Sequence, residues 1–151
     1  MNAFDRSKSL QELEGEDWGE PEFQSYVVTN AHRLWRVPLR DFTVEDLRFM
    51  IGQQLGLRYL IPIALEHLRA NPFAGGDCYD GDLLAGVLEA DSRFWIESPE
   101  LRGETVQIAQ QALSLLPTLD ESDRQTAQDR FTTAYDIFQR AEYFARHGRV
   151  F

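Results

Sequence analysis

Between Phe42 and Leu84 the sequence carries two helix starts and two helix stops within 43 residues. That punctuation leaves room for little except short, closely connected helices. Thr43-Val44-Glu45-Asp46 is a near capping box, with aspartate in the place usual for glutamate. Leu47, Met50, Ile51 and Leu55 then recur at helical spacing, and Gly56 is expected to stop the helix. The next helix should run from about Leu57 to Ala70 on an apolar face of Leu60, Ile61, Ala64, Leu65 and Leu68, closed by Asn71-Pro72. Pro62 falls within it and has no amide hydrogen to donate. The helix proper is therefore expected to begin near residues 59–61, with Pro62 in its first turn rather than at a kink.

The same grammar extends along the chain. Ser9-Leu10-Gln11-Glu12 is a capping box ahead of a short helix that Gly15 would end. A second helix is expected after Pro21, with Phe23, Val27, Ala31 and Leu34 facing inward and Pro38 as its limit. Residues 73–81 form a loop leading to a helix over 82–89, whose inward residues are Leu83, Leu84 and Leu88 and whose N-terminus takes Asp80 or Asp82. A turn at Phe94-Trp95 precedes a helix from Pro99 to about Leu116, stopped by Pro117. The last helix runs from Asp120 to Arg146 on a stripe of Ala127, Phe131, Ala134, Phe138, Ala141 and Ala145, flanked by Tyr135 and Phe144. Leucine (18) and alanine (13) dominate, valine and isoleucine together reach 13, and no two-residue hairpin signal is present. The reading is all-α: a compact antiparallel bundle or array of six to seven helices. At 151 residues it is one domain by length, spanning 1–151, with the order of residues 1–8 left open.

The net charge of −10 is unevenly placed. Residues 1–22 hold seven acids against Arg6 and Lys8, and residues 77–100 hold seven against Arg93. The remaining 11 acids are matched by 12 arginines. Such a surface is a poor partner for nucleic acid, whose binding requires phosphates to be neutralised. It suits a basic protein better, although an acidic surface also serves solubility alone. Four arginines of the last helix (124, 130, 140 and 146) lie among acids at 120, 121, 123, 129, 136 and 142, which is the pattern of a solvated face. No apolar run suggests a signal peptide or a membrane helix, so a cytoplasmic protein without membrane contact is expected. The single cysteine, Cys78, fits a reducing compartment.

The sequence offers no constellation for catalysis. His32, His67 and His147 are isolated, and Cys78 has no partner at ligand spacing. Asp77, Asp80 and Asp82 invite a calcium loop, but one starting at Asp77 puts Leu88 at its twelfth position, where an oxygen is required. Gly75-Gly76-Asp77 lacks the lysine of a phosphate loop. Acidic neighbours oppose a reactive Cys78 thiolate. Neither enzyme activity, a metal nor a cofactor is expected.

The chain nonetheless resembles a known family. The residues that carry the resemblance are Thr43 to Arg48, Met50 to Gln53, Gly56-Leu57, Tyr59-Leu60, Pro62, Ala64 to Glu66, Leu68, Asn71-Pro72, Gly76-Asp77, Tyr79 and Gly81 to Leu84. Leu10 to Gly15, Trp18-Gly19, His32 and Leu34 fit the same pattern, so the resemblance spans roughly residues 9 to 95. In these residues the chain is similar to the immunity proteins of bacterial contact-dependent growth inhibition (CDI) systems. The resemblance implies a cytoplasmic antidote that binds the toxin domain delivered by a neighbouring cell, often a nuclease, as a monomer in a 1:1 complex. A basic toxin would complement the two acidic segments. The expected contacts are Asp77, Tyr79, Asp80, Asp82, Glu89 and Asp91, then Trp18, Glu16 and Asp17, with the aromatic residues as anchors. Gly81 to Leu84 belong to the shared pattern, however, and residues shared among proteins facing different toxins build scaffold. On that argument Asp82 is a helix cap, and specificity sits in Cys78, Asp80 and the unmatched last third. The alternative function is a helical adaptor or regulatory protein-binding domain unrelated to toxins.

Overall fold

Short polar side chains decide where the helices begin. The computed structural model describes residues 4–147, with side chains as far as Arg140. The stripe and charge positions Ala141, Glu142, Phe144, Ala145 and Arg146 lie outside the described side chains. In α1 (Leu10–Glu14) the Glu12 amide donates to Ser9 Oγ at 3.2 Å, and the Ser9 amide to Glu12 Oε1 at 3.2 Å. Gly15, at φ 66°, ends the helix. In α3 (Val44–Gly52) Thr43 and Asp46 form the same reciprocal pair at 3.1 and 3.0 Å, so aspartate does serve in the box. α2 (Tyr26–Trp35) starts later than the sequence suggests. Ser25 Oγ accepts the Val28 amide at 3.2 Å, and nothing between Pro21 and Gln24 supplies such a cap. Phe23 and Val27, expected inside, are therefore 68% and 43% exposed.

α3 ends at Gly52, ahead of the expected stop, and Gly56 instead opens α4 (Leu57–Ala70) in a left-handed conformation at φ 63°. A Cβ on Gly56 would lie 2.8 Å from a methyl of Leu10, so the turn also needs the missing side chain for space. Pro62 is a correction: it sits inside α4, not in its first turn. A proline there costs about 3 kcal/mol. Every residue from Tyr59 to Leu65 is buried, and each large apolar side chain returns roughly 1.5–3 kcal/mol on burial, so packing outweighs the lost hydrogen bond.

α5 (Asp82–Leu88) packs against α3, α4 and α8 (Glu121–His147). The expected turn at Phe94-Trp95 is instead helical, α6 (Ser92–Glu97), because the Asp91 carboxylate accepts the Arg93 amide at 2.9 Å and caps it. Beyond it lie α7 (Pro99–Leu115) and a 3-10 turn at Leu116–Thr118. The described residues thus form eight α-helices and no strand, an all-α fold as expected. A single bridge pair joins Ser9 to Pro38. Residues 4–8 are tied down: Lys8 and Arg6 carbonyls accept the Leu39 and Arg40 amides at 3.0 and 2.9 Å. All the buried apolar residues except Leu116 and Ala127 make one cluster running from Leu10 to Phe138 among the described residues. None of the helices among the described residues is long and apolar enough to cross a membrane.

Candidate functional site

The loop that carries Asp77, Tyr79 and Asp80 has no regular structure, so its backbone amides need acceptors from elsewhere. Two carboxylates supply them. Asp82, the first residue of α5, accepts the Gly76 amide at 2.7 Å on one oxygen. Its other oxygen accepts the Cys78 and Tyr79 amides at 3.0 and 3.3 Å. Glu45, on α3, accepts the Asp77 amide at 2.9 Å. Arg48 lies between them, bidentate to Glu45 at 2.6 and 2.5 Å, with its Nε 3.8 Å from Asp82. Four consecutive amides are thus gathered onto two carboxylates that one guanidinium holds in place. Gly76 fits because a Cβ there would run into Glu45.

Asp82 is 4% exposed, with no surface to offer a partner. It is not the cap of its own helix either, since all three of its donors come from the loop before it. In the free chain its carboxylate thus serves the loop and not the surface, and the amides it holds are the loop's, not those of α5. Asp77 and Asp80, freed from that duty, point their carboxylates from exposed positions. Tyr79 is half-buried, over a small pocket with Phe73, Leu84 and Phe131, and Arg130 of α8 lies 5.8 Å from its ring centre. Burial raises its hydroxyl above the ordinary value, against the pull of Arg130.

The Arg48 hydrogen bonds hold the Glu45 carboxyl below its ordinary value of 4.5, with a smaller contribution from the Asp77 amide, against the opposing effect of burial. A carboxylate whose folded pKa is depressed stabilises the fold above its unfolded pKa, and that stabilisation is lost as pH falls through the folded value. Stability attributable to Glu45 should be fully present at pH 7 and be lost progressively as the pH falls below the ordinary carboxyl value of 4.5. Urea midpoints across this range, with Glu45→Gln beside the parent chain, measure it. The variant is expected to be the less stable at pH 7, and the gap should narrow steadily as the pH falls below 4.5. A gap that does not change with pH would show that Glu45 acts by shape, not charge.

The far end of α5 has its own clamp. Gln54, at the unusual φ of 60°, donates its side-chain amide to the Glu89 carbonyl at 3.4 Å and accepts the Asp91 amide at 2.8 Å. A non-glycine residue in that region carries strain, and this pair of bonds accounts for its retention. Glu89 and Asp91 are exposed. A helix of seven residues spans about 10 Å, so α5 separates the Asp77–Asp80 carboxylates from the Glu89–Asp91 pair by roughly that length.

Glu16, Asp17 and Trp18 lie on a separate loop. Trp18 is half-buried and stacks on Trp35, ring centres 4.1 Å apart and planes 11° from parallel, with His32 at its edge. The Trp35 indole donates to the Glu16 carbonyl at 2.8 Å, and Asp17 lies 3.8 Å from Arg36. Among the described residues no hydrogen bond, ion pair or ring contact joins this loop to residues 77–91. The structure therefore distributes the nine residues over two regions.

Sequence reasoning missed three participants. Glu45 and Arg48 looked like ordinary helix-surface charges at i and i+3, and nothing local pointed them at a loop some thirty residues away. Tyr26 is 69% exposed, its ring edge-on to Phe49 at 6.0 Å. Phe49 stands one turn from Glu45 on α3, so an exposed aromatic group continues the face that carries the loop. No three histidine, cysteine, aspartate or glutamate side chains gather as a metal site among the described residues.

The CDI immunity-protein family matches the chain over residues 12–105. No curated protein and no solved structure matches significantly. The matched span contains both clamps and every element from α3 to α6, the parts whose geometry depends on the residues quoted above. Covering well over half of the 151 residues, it shows that this chain belongs to the family of CDI immunity proteins.

Proposed function

We propose that the chain acts in the cytoplasm as a non-catalytic antidote, binding a basic nuclease toxin domain 1:1 as a monomer. The observation that carries this reading is the outward display of Asp77, Asp80, Glu89 and Asp91 around α5, on backbone pinned by Glu45, Asp82 and Gln54. A nuclease must be basic where it grips phosphate, and fixed carboxylates complement that charge. Pre-organised backbone lowers the ordering cost of the complex. Tyr79 and the exposed Tyr26 supply apolar anchors, and Trp18, Glu16 and Asp17 a second, smaller contact. Asp82 contributes from behind, by setting the loop.

The test is protection of cells expressing the cognate toxin domain, the one encoded beside this chain, together with affinity measured across a salt series. Rescue and a complex that weakens with salt are expected. Asp77→Lys with Asp80→Lys should weaken the complex roughly tenfold, mainly through slower association, at unchanged melting temperature. Continued killing with no complex would overturn the reading.

A further inference from the structure

A wide concavity lies away from the loop of Asp77. A groove of about 840 Å³ opens between the N-terminal segment, the first turns of α4, and the junction of α6 with α7. Its floor is apolar: Phe4, Leu13, Tyr59, Pro62, Phe94 and Leu101. Phe4 meets the Tyr59 ring edge-on at 5.2 Å, which fixes the floor's shape. Pro62 has no amide for the Arg58 carbonyl one turn back, so one backbone acceptor in the groove wall lacks its helical donor.

The rim carries the more telling feature. Asp5 belongs to the first acidic segment, and Glu97 and Glu100 to the second. The two stretches that hold all the excess negative charge of the chain thus meet across one groove. Glu104 is engaged by Arg69, whereas Glu97 and Glu100 take part in no ion pair among the described residues. Lys8 and Arg58 stand with Asp5 on the opposite side, the Arg58 guanidinium lying over Tyr59 at 5.2 Å. The groove therefore has an apolar floor, one purely acidic wall and one mixed wall.

We infer that this groove receives a segment of the cognate toxin domain that presents apolar side chains to the Phe4–Leu101 floor and arginine or lysine to the Glu97–Glu100 wall. The inference rests on the immunity reading and adds a third contact to it. Charge complementarity selects the occupant: a basic side chain gains two carboxylates that make no ion pair among the described residues. An acidic or neutral peptide would leave that wall unanswered.

Binding of the purified cognate toxin domain to the full chain, measured by calorimetry at two salt concentrations, tests it. Glu97→Arg with Glu100→Arg is expected to weaken the complex at least about tenfold and to flatten its salt dependence. Glu20→Arg with Glu22→Arg, exposed charges outside the groove, should change affinity less than about twofold. Should the arginine pair lower the melting temperature, Glu97→Gln with Glu100→Gln replaces it, with a smaller loss expected. A parent complex that both groove variants leave untouched in affinity and salt dependence overturns the groove and spares the immunity reading. A parent chain that binds no toxin overturns both. A parent dimer that dissociates on charge reversal would show a second copy in the groove, and the inference falls.

Discussion

Asp82→Ala is expected to destabilise the protein by about 3 kcal/mol. Its two oxygens receive three amides and face Arg48, and it is 4% exposed. Removing a buried acceptor leaves each donor with a desolvation penalty of about 1–3 kcal/mol, unless the loop opens to water. Opening limits the loss but costs the loop its path, so the total stays well below three full penalties. In a chain of this size the change should lower the melting temperature by roughly 6–12 °C. Asp82→Asn retains one acceptor oxygen and turns a second donor toward the amides, so about 2 kcal/mol is expected for it. Urea denaturation with hydrogen exchange at Gly76, Cys78 and Tyr79 reads both effects. A change under about 1 kcal/mol for the alanine variant, with those amides still protected, would remove Asp82 from its assigned role.

Phe138→Ala is expected to cost as much by a different route, about 3–5 kcal/mol. Phe138 is 1% exposed on α8 and meets Trp95 of α6 edge-on at 5.3 Å. α8 packs on α5 and α6, lies beyond the region shared with the family, and brings Phe131 and Arg130 beneath and over Tyr79. A cavity at Phe138 should therefore loosen the support of the loop as well as the core, a coupling that Phe138→Leu would largely restore. The check is a double-mutant cycle with Tyr79→Ala in denaturant. Strict additivity would mean that the C-terminal helix stabilises the core without reaching the loop.

Helix caps were legible in the sequence because a cap is decided within four residues: Ser9 with Glu12, and Thr43 with Asp46, bond as their spacing implies. Ser25 was equally local, but Pro21 drew the start of α2 upstream and took Phe23 and Val27 inside with it. Pro62 misled for the opposite reason. Its cost is local, whereas the burial that outweighs it comes from α3, α5 and α7 and has no signature near residue 62. The acidic loop could be identified as a feature, but the direction of its carboxylates could not, because Glu45 and Asp82 reach its amides from different elements. The groove was least legible of all, assembled from residues more than ninety positions apart.

The clamp beneath residues 76–79 separates two duties that a surface loop often asks of the same atoms. Its path is written by side chains outside it, Glu45, Arg48 and Asp82, acting on backbone groups that every residue type except proline possesses. The side chains of Asp77 and Cys78, both exposed, are correspondingly free of any part in shaping the turn, while Tyr79 packs toward the core. Such a loop is a mounting: the residues displayed on it can be exchanged for others of different charge or size while the bracket that aims them stays the same.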